Sequence, residues 1–259
     1  MASFVWMSDL HFTAHGDVLG HDPRARLEAA IDLINAEYRD AAFCLISGDM
    51  VNRGTPADYA ALARRLARLE IPYLPLPGNH DDRAEFRRHL ALPEGVMDAF
   101  IQYEVPLGHA RVIGLDSLDP SADAGVLCPA RRGWLFERLA VSEAPALVFL
   151  HHPPMPLGLP MQDADRLAEG ESVLDALVET GRVAFLGAGH VHRRQSGVVR
   201  GLPFSTMGSV LYQAPPPVPA WDWESFTPAR EAPELALVTV EGPDIRVAPR
   251  QICPYETGT

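Results

Sequence analysis

The sequence predicts an α/β fold: a largely parallel sheet with covering helices, and a second sheet later in the chain. Two observations carry this. Apolar runs and amphipathic stretches alternate as β-α-β-α-β from the N-terminus, an order that implies parallel strands with helices laid over them. The chain also has 259 residues, 47% of them hydrophobic. That is enough to bury a sizeable core in one large α/β domain or two small ones.

Each element has a local reason. "SFVWMS" reads as a strand. "DPRARLEAAIDLINAEY" reads as a helix: Asp22 can cap it, Pro23 suits its first turn, and Leu27, Ala30, Ile31 and Ile34 share one face. "AFCLIS" is a second strand. "TPADYAALARRLARLE" is a second helix, with Thr55 as cap, Pro56 in the first turn, and Tyr59, Leu62, Leu66 and Leu69 as its stripe. "IPYLPLP" is a third strand, limited by its prolines to a short or edge pairing. The later runs "RVIGLDS", "PALVFLHH", "RVAFLGAGH", "LPFSTM", "LALVTV" and "DIRVAP" make the C-terminal part strand-rich, and "EGPD" joins the last two as a hairpin-like turn. No repeat is visible and nothing compels a boundary, so residues 1–259 are expected as one domain. Its one biased segment lies near 214–230, "APPPVPAWDWESFTPAR". The prolines and aromatics there suit an ordered surface loop or interaction arm, with a plain linker as the simpler reading.

The formal charge of -12 disfavours long nucleic acids, which call for clustered Lys and Arg. A small anionic substrate stays compatible, because bound cations invert the local field. Cys44, Cys128 and Cys253 are far apart and form no CxxC pair, so neither a disulfide framework nor a thiolate metal site is expected. The start "MASFVWMSDLHF" lacks a basic region and a long apolar stretch, and no apolar run approaches the roughly 20 residues of a membrane span. A cytoplasmic protein is the expectation.

Five apolar runs end in ligand-type residues: Asp9-Leu10-His11, Gly48-Asp49, Gly78-Asn79-His80, His151-His152 and His190-Val191-His192. In α/β sheets the carboxyl ends of strands are where ligands bind. Alternate residues of an extended segment face one way, so Asp9 and His11 can meet one metal together. His190 and His192 can do the same, or a sharp turn can send them to neighbouring ions. Asp49 has two carboxylate oxygens and can bridge two ions. Carboxylate with imidazole suits borderline or hard divalent cations. Each piece alone has an ordinary explanation, such as a polar turn, a surface pair or a hydrogen-bonded core histidine. Their convergence at successive strand ends is what points to a site.

In order, "DLH", "GD", "GNHD", "HHPP" and "GHVH" resemble the calcineurin-like metallophosphoesterases, and among them the class III cyclic-nucleotide phosphodiesterases and related bacterial glycerophosphodiesterases. "GLDS" and the Trp-Leu of "RRGWLFERLA" resemble that branch too, although Arg131 and Arg132 stand where it often has a Gln and an apolar residue. The resemblance implies a four-layer αββα sandwich, two mixed β-sheets flanked by helices. It implies two divalent metal ions, left open among Mn, Fe, Zn and Mg. Carried over by motif, Asp9, His11 and His192 bind one ion, Asn79, His151 and His190 the other, and Asp49 bridges both. His80 faces the substrate as the catalytic residue. Asp81 supports the ligands, orienting a histidine; His152 is either such a support or merely structural; Asp82 is a solvated loop residue. The implied activity is hydrolysis of small phosphodiesters, 3′,5′-cyclic nucleotides first, by in-line attack of a metal-bridging hydroxide. Glycerophosphodiesters, phospholipid-derived diesters or a broad range are the alternative, and a nuclease or protein phosphatase fits less well. A homodimer or higher homo-oligomer is compatible.

Overall fold

The computed structural model describes residues 1–253. In chain order the first elements are β1 (Ala2–Met7), α1 (Pro23–Glu37), β2 (Cys44–Ser47), α2 (Pro56–Leu66), β3 (Tyr73–Leu76) and α3 (Arg83–His89). Then come β4 (Tyr103–Leu107), β5 (Ala110–Gly114), α4 (Pro129–Val141), β6 (Ala146–Leu150), α5 (Pro160–Ala164) and α6 (Gly170–Glu179). The last are β7 (Val183–Ala188), β8 (Ser196–Val199), β9 (Leu202–Thr206), β10 (Glu234–Glu241) and β11 (Asp244–Gln251).

Alternation along the strands explains the layers. In β1, Phe4 and Trp6 face one way, into a core shared with Leu45, Phe149 and Val238. Val5 and Met7 face the other way, against Leu27 and Ile31 of α1 and Leu62 of α2. In β6, Leu147 and Phe149 join the core between the sheets, while Val148 and Leu150 meet Leu135 of α4 and Leu174 of α6. Both faces of these inner strands are thus buried, which is why β1 and β6 are apolar nearly throughout. Three cores separate four layers, helix–sheet–sheet–helix, as the sequence predicts.

The first sheet has the order β11-β10-β1-β2-β3, with β1, β2 and β3 parallel and β10 antiparallel to β1. β3 sits at its edge, where Pro75 costs no ladder bond. The second has the order β4-β5-β6-β7-β9-β8, with β5, β6, β7 and β9 parallel and the two outer strands antiparallel. Both sheets are mixed. The final hairpin pairs Glu241 with Asp244 around the expected turn and returns to the first sheet, while the second forms from β4 to β9.

Asp22 caps α1 by accepting from the backbone N–H of Arg24 and Ala25, and Thr55 caps α2 by accepting from Asp58. α2 ends at Leu66, short of the predicted Glu70; a turn follows that still packs Leu69 on the core. Among the described residues no helix is long and apolar enough to cross a membrane, and all three cysteines are free.

Candidate metal centre

The parallel strands end together at one edge of the sandwich. Asp9, Asp49 and Asn79 follow β1, β2 and β3, and His151 and His190 follow β6 and β7, so both sheets contribute. The chain turns sharply at these points. Asp9 (φ 56°), His11 (40°), Asp49 (51°), His190 (70°) and His192 (49°) all adopt left-handed backbone. Such residues cost on the order of 1–3 kcal/mol each and persist where the surroundings enforce them. Extended alternation is therefore not what turns Asp9 and His11 the same way; left-handed backbone at each of the two is.

The donors fall into two groups. Asp9, His11, Asp49 and His192 place ligand atoms within 4.8 Å of one another. Within that group His11 Nε2 lies 2.8 Å from His192 Nε2 and 3.4 Å from Asp49 Oδ2, and His192 Nε2 lies 3.4 Å from Asp9 Oδ1. In the second group, His151 and His190 come together with His152. Asn79 Oδ1 is 3.2 Å from His190 Nδ1, so the carboxamide joins them. Asp49 Oδ2 is also 3.4 Å from His151 Nε2, which puts this carboxylate between the two groups.

Backbone carbonyls set the imidazole tautomers. His151 Nδ1–H donates to Ser47 O (2.8 Å), His192 Nδ1–H to Tyr212 O (3.1 Å) and His80 Nδ1–H to Asn52 O (2.9 Å). A carbonyl only accepts, so Nε2 is left as the coordinating atom in His151 and His192, and as the free ring nitrogen in His80. Among these donor residues, three buried atoms have no hydrogen-bond partner: Asp9 Oδ2, His11 Nδ1 and His151 Nε2. Each orphan costs about 1–3 kcal/mol unless something satisfies it. A carboxylate, imidazole and amide set with no thiolate fits divalent cations of the Mn, Fe, Zn and Mg kind. Gly78 permits the close approach: a Cβ there would stand 2.2 Å from Asp49 Oδ1 and 2.7 Å from His151 Nε2.

The electrostatics agree. Burial pushes Asp9 and Asp49 up, but the neighbouring histidines outweigh it and hold both below the usual carboxylate range, Asp49 well below. Burial opposes charge on His151, yet Asp49 and Asp9 raise it to about 9. His11 and His190 are pushed down to about 3, chiefly by burial.

The remaining predicted residues differ. His152 is fully buried with both ring nitrogens engaged: Ser117 Oγ lies 2.8 Å from Nδ1, and Nε2–H donates to Asp123 O at 3.0 Å. No lone pair is left for an ion, as both readings of His152 require. Asp81 meets no histidine. Its carboxylate accepts from Gly78 N (2.9 Å), Met50 N (3.1 Å), Val51 N (3.4 Å) and the Tyr59 hydroxyl (2.7 Å), tying the Asp49 loop to the Asn79 loop. Asp82 is exposed but caps α3, accepting from Ala84 N and Glu85 N. His80 donates its backbone N–H to Asp49 Oδ1 (3.0 Å), and its ring sits 4.6 Å from that of His11. Arg131 and Arg132 lie away from the donors: Arg131 binds Asp116 O (2.7 Å), and Arg132 pairs with Glu169 (2.8 Å).

Over the donors opens a cleft of about 340 Å³, with His11, Asp49, Asn79, His80, His190 and His192 on its lining. Tyr212, Trp223 and Phe226 line it as well, as do Asp123, Gln162 and Asp165. None of these six carries a ligand spacing. The only sequence signal was the aromatic bias of the 214–230 segment, which is part of the cleft wall and no plain linker.

Fold and donors together define a metal-dependent phosphoesterase architecture. A model of the calcineurin-like phosphoesterases matches residues 2–194, and the chain belongs to that family. A probable cyclic nucleotide phosphodiesterase of Rhodopseudomonas palustris is 36% identical, aligned over 92% of this chain and 88% of that protein. A glycerophosphodiester phosphodiesterase of Enterobacter lignolyticus is 28% identical over 81% of this chain and 77% of its own. In fold the chain is similar to a dimetal phosphatase from Danio rerio, with a TM-score of 0.72, 15% identity, and coverage of 98% of this chain and 97% of that one.

Proposed function

We propose that the chain is a dinuclear metal-dependent phosphodiesterase for small diesters, with 3′,5′-cyclic nucleotides as the first substrate class. The observation that carries this is Asp49 Oδ2, placed 3.4 Å from both His11 Nε2 and His151 Nε2. One carboxylate set between two donor groups is what a pair of cations requires. Asp9, His11 and His192 would hold one ion, Asn79, His151 and His190 the other, and Asp49 would be shared. When bound, such a pair neutralises charge on the phosphoryl oxygens and acidifies water.

The chain's own residues do the rest. The carbonyls of Ser47 and Tyr212 fix the ligand rings before any ion arrives, so little reorganisation is left to binding. Asp81 holds the two loops that carry Asp49 and Asn79. His80 lines the cleft with Nδ1 tied to Asn52, and the Asp49 carboxylate raises it above the ordinary histidine value. With Nδ1 held by Asn52, its Nε2 is left to carry a proton for the departing alkoxide.

The cyclic-nucleotide reading is supported by the Rhodopseudomonas relative. A glycerophosphodiester reading is supported by the Enterobacter relative. A charge of -12 weighs against long nucleic acids. The reading takes the chain as one catalytic domain, of which residues 254–259 lie outside the described part, working in the cytoplasm. Metal-free protein reloaded with Mn²⁺, Fe²⁺, Zn²⁺ or Mg²⁺ and assayed on cyclic AMP, glycerophosphocholine and bis-p-nitrophenyl phosphate tests it. Turnover of cyclic AMP is expected; turnover of glycerophosphocholine alone selects the second reading, and no turnover of any diester rejects both.

A further inference from the structure

The donor cluster does not account for the far wall of the cleft. Trp223 is 55% exposed and, with Phe226, forms that wall. A large indole left bare beside a polar site marks a contact surface. Its backing is rigid: the Trp221, Trp223 and Phe226 rings meet at 5.2–5.7 Å, and Trp221 Nε1–H donates to Pro216 O at 3.1 Å. Phe226 lies 6.0 Å from Tyr212, whose ring is 4.6 Å from His192. An unbroken aromatic run thus leads from the metal donors to the rim. The three arm rings pack on one another, and of them only Trp223 and Phe226 line the cleft, which makes a platform and not a cage around a cation. Asp123 and Asp165 line the same cleft, and among the described residues no Lys or Arg does. The remote part of the ligand should then be flat and apolar, edged with hydrogen-bond donors, and free of negative charge.

We propose that Trp223 and Phe226 stack the nucleobase of a 3′,5′-cyclic nucleotide, while Asp123 and Asp165 accept hydrogen bonds from its amino edge. This rests on the phosphodiesterase reading and adds to it the residues that select the base. A base stacked on an aromatic ring is worth about 1–3 kcal/mol, so losing the indole should cost roughly ten- to a hundredfold.

Two measurements on the full-length protein test it. In the first, kcat/KM is compared for cyclic AMP and for an abasic ribose 3,5-cyclic phosphate with the same phosphate and leaving group. Trp223→Ala should lower the value for cyclic AMP about tenfold or more through KM, leave the abasic compound within about twofold, and be largely rescued by Trp223→Phe. In the second, adenosine is titrated into metal-free protein and indole fluorescence is followed; quenching should occur in the wild type and weaken in Trp223→Ala and Phe226→Ala. Equal losses on both cyclic phosphates, or adenosine binding unchanged in both variants, overturns the platform. So does a Trp223-dependent KM for glycerophosphocholine without one for cyclic AMP. Adenosine quenching with no diester turned over under any metal sinks the phosphodiesterase reading instead.

Discussion

His11 Nε2 stands 2.8 Å from His192 Nε2, across 181 residues of chain. His192 has its Nδ1–H committed to the Tyr212 carbonyl, so its Nε2 meets His11 as a lone pair. His11 in turn is kept from taking a proton, with burial pushing it down to about 3. Neutral His11 keeps one ring proton, which on Nε2 is donated to that lone pair in the metal-free protein; an ion would take the proton's place between the two nitrogens. With Asp9 and Asp49 each 3.4 Å from one of them, the donors converge on a common point.

Asp49→Ala removes the carboxylate that stands between the two donor groups. Bound metal should fall below the wild-type content and turnover should drop by several orders of magnitude. The fold should persist, because the residue lies beyond the end of β2. Elemental analysis together with circular dichroism checks this, and a variant that keeps its full metal content and most of its turnover removes Asp49 from the bridging role.

His80→Ala should keep the metal, since the His80 ring is tied to Asn52 and not to the donor groups. Turnover should still fall by roughly 10²–10⁴-fold, the range of a positioned acid or base. The loss should be larger for a ribose alkoxide than for p-nitrophenolate, which departs without a proton. Equal losses on the two leaving groups argue against proton donation.

Metal uptake should depend on pH through His151, raised to about 9 in the metal-free protein. Its stabilising proton is fully present below the ordinary histidine value of about 6.5 and is lost as pH rises through about 9. An ion must displace that proton, so affinity should climb between these limits by close to tenfold per pH unit. Calorimetry in buffers of different ionisation enthalpy should find about one proton released near neutral pH; no release contradicts His151 as a ligand.

Much of this was legible because strand and ligand signals coincide. "SFVWMS" followed by Asp-Leu-His shows both a buried strand and what its end carries, and five such coincidences locate the site. Other features left weaker traces. β4 and β8 are edge strands with few buried side chains, and α3 buries only Phe86, so neither shows a periodic pattern. Asp81 binds backbone from two loops, a partnership no spacing reveals. The Asp9 and His11 pairing was expected for the wrong reason, since local spacing cannot foretell left-handed turns that tertiary contacts impose. Tyr212, Asp123 and Gln162 reach the cleft through long-range packing alone.

Asp81→Ala should destabilise the protein by about 3 kcal/mol, because several buried donors lose their acceptor together. Urea unfolding of the metal-free protein measures this. Metal affinity should weaken as well, since the Gly78–Asn79 turn loses its anchor. Unchanged stability with weakened metal affinity would instead make Asp81 a ligand.

The central claim is that seven side chains build a two-ion site on which turnover depends. Its most direct test is the metal-to-protein ratio of stripped protein reloaded with Mn²⁺, followed alongside hydrolysis of cyclic AMP. The account predicts two ions per chain and activity that rises with their loading. Full activity in the stripped protein, or saturation at a single ion, contradicts it.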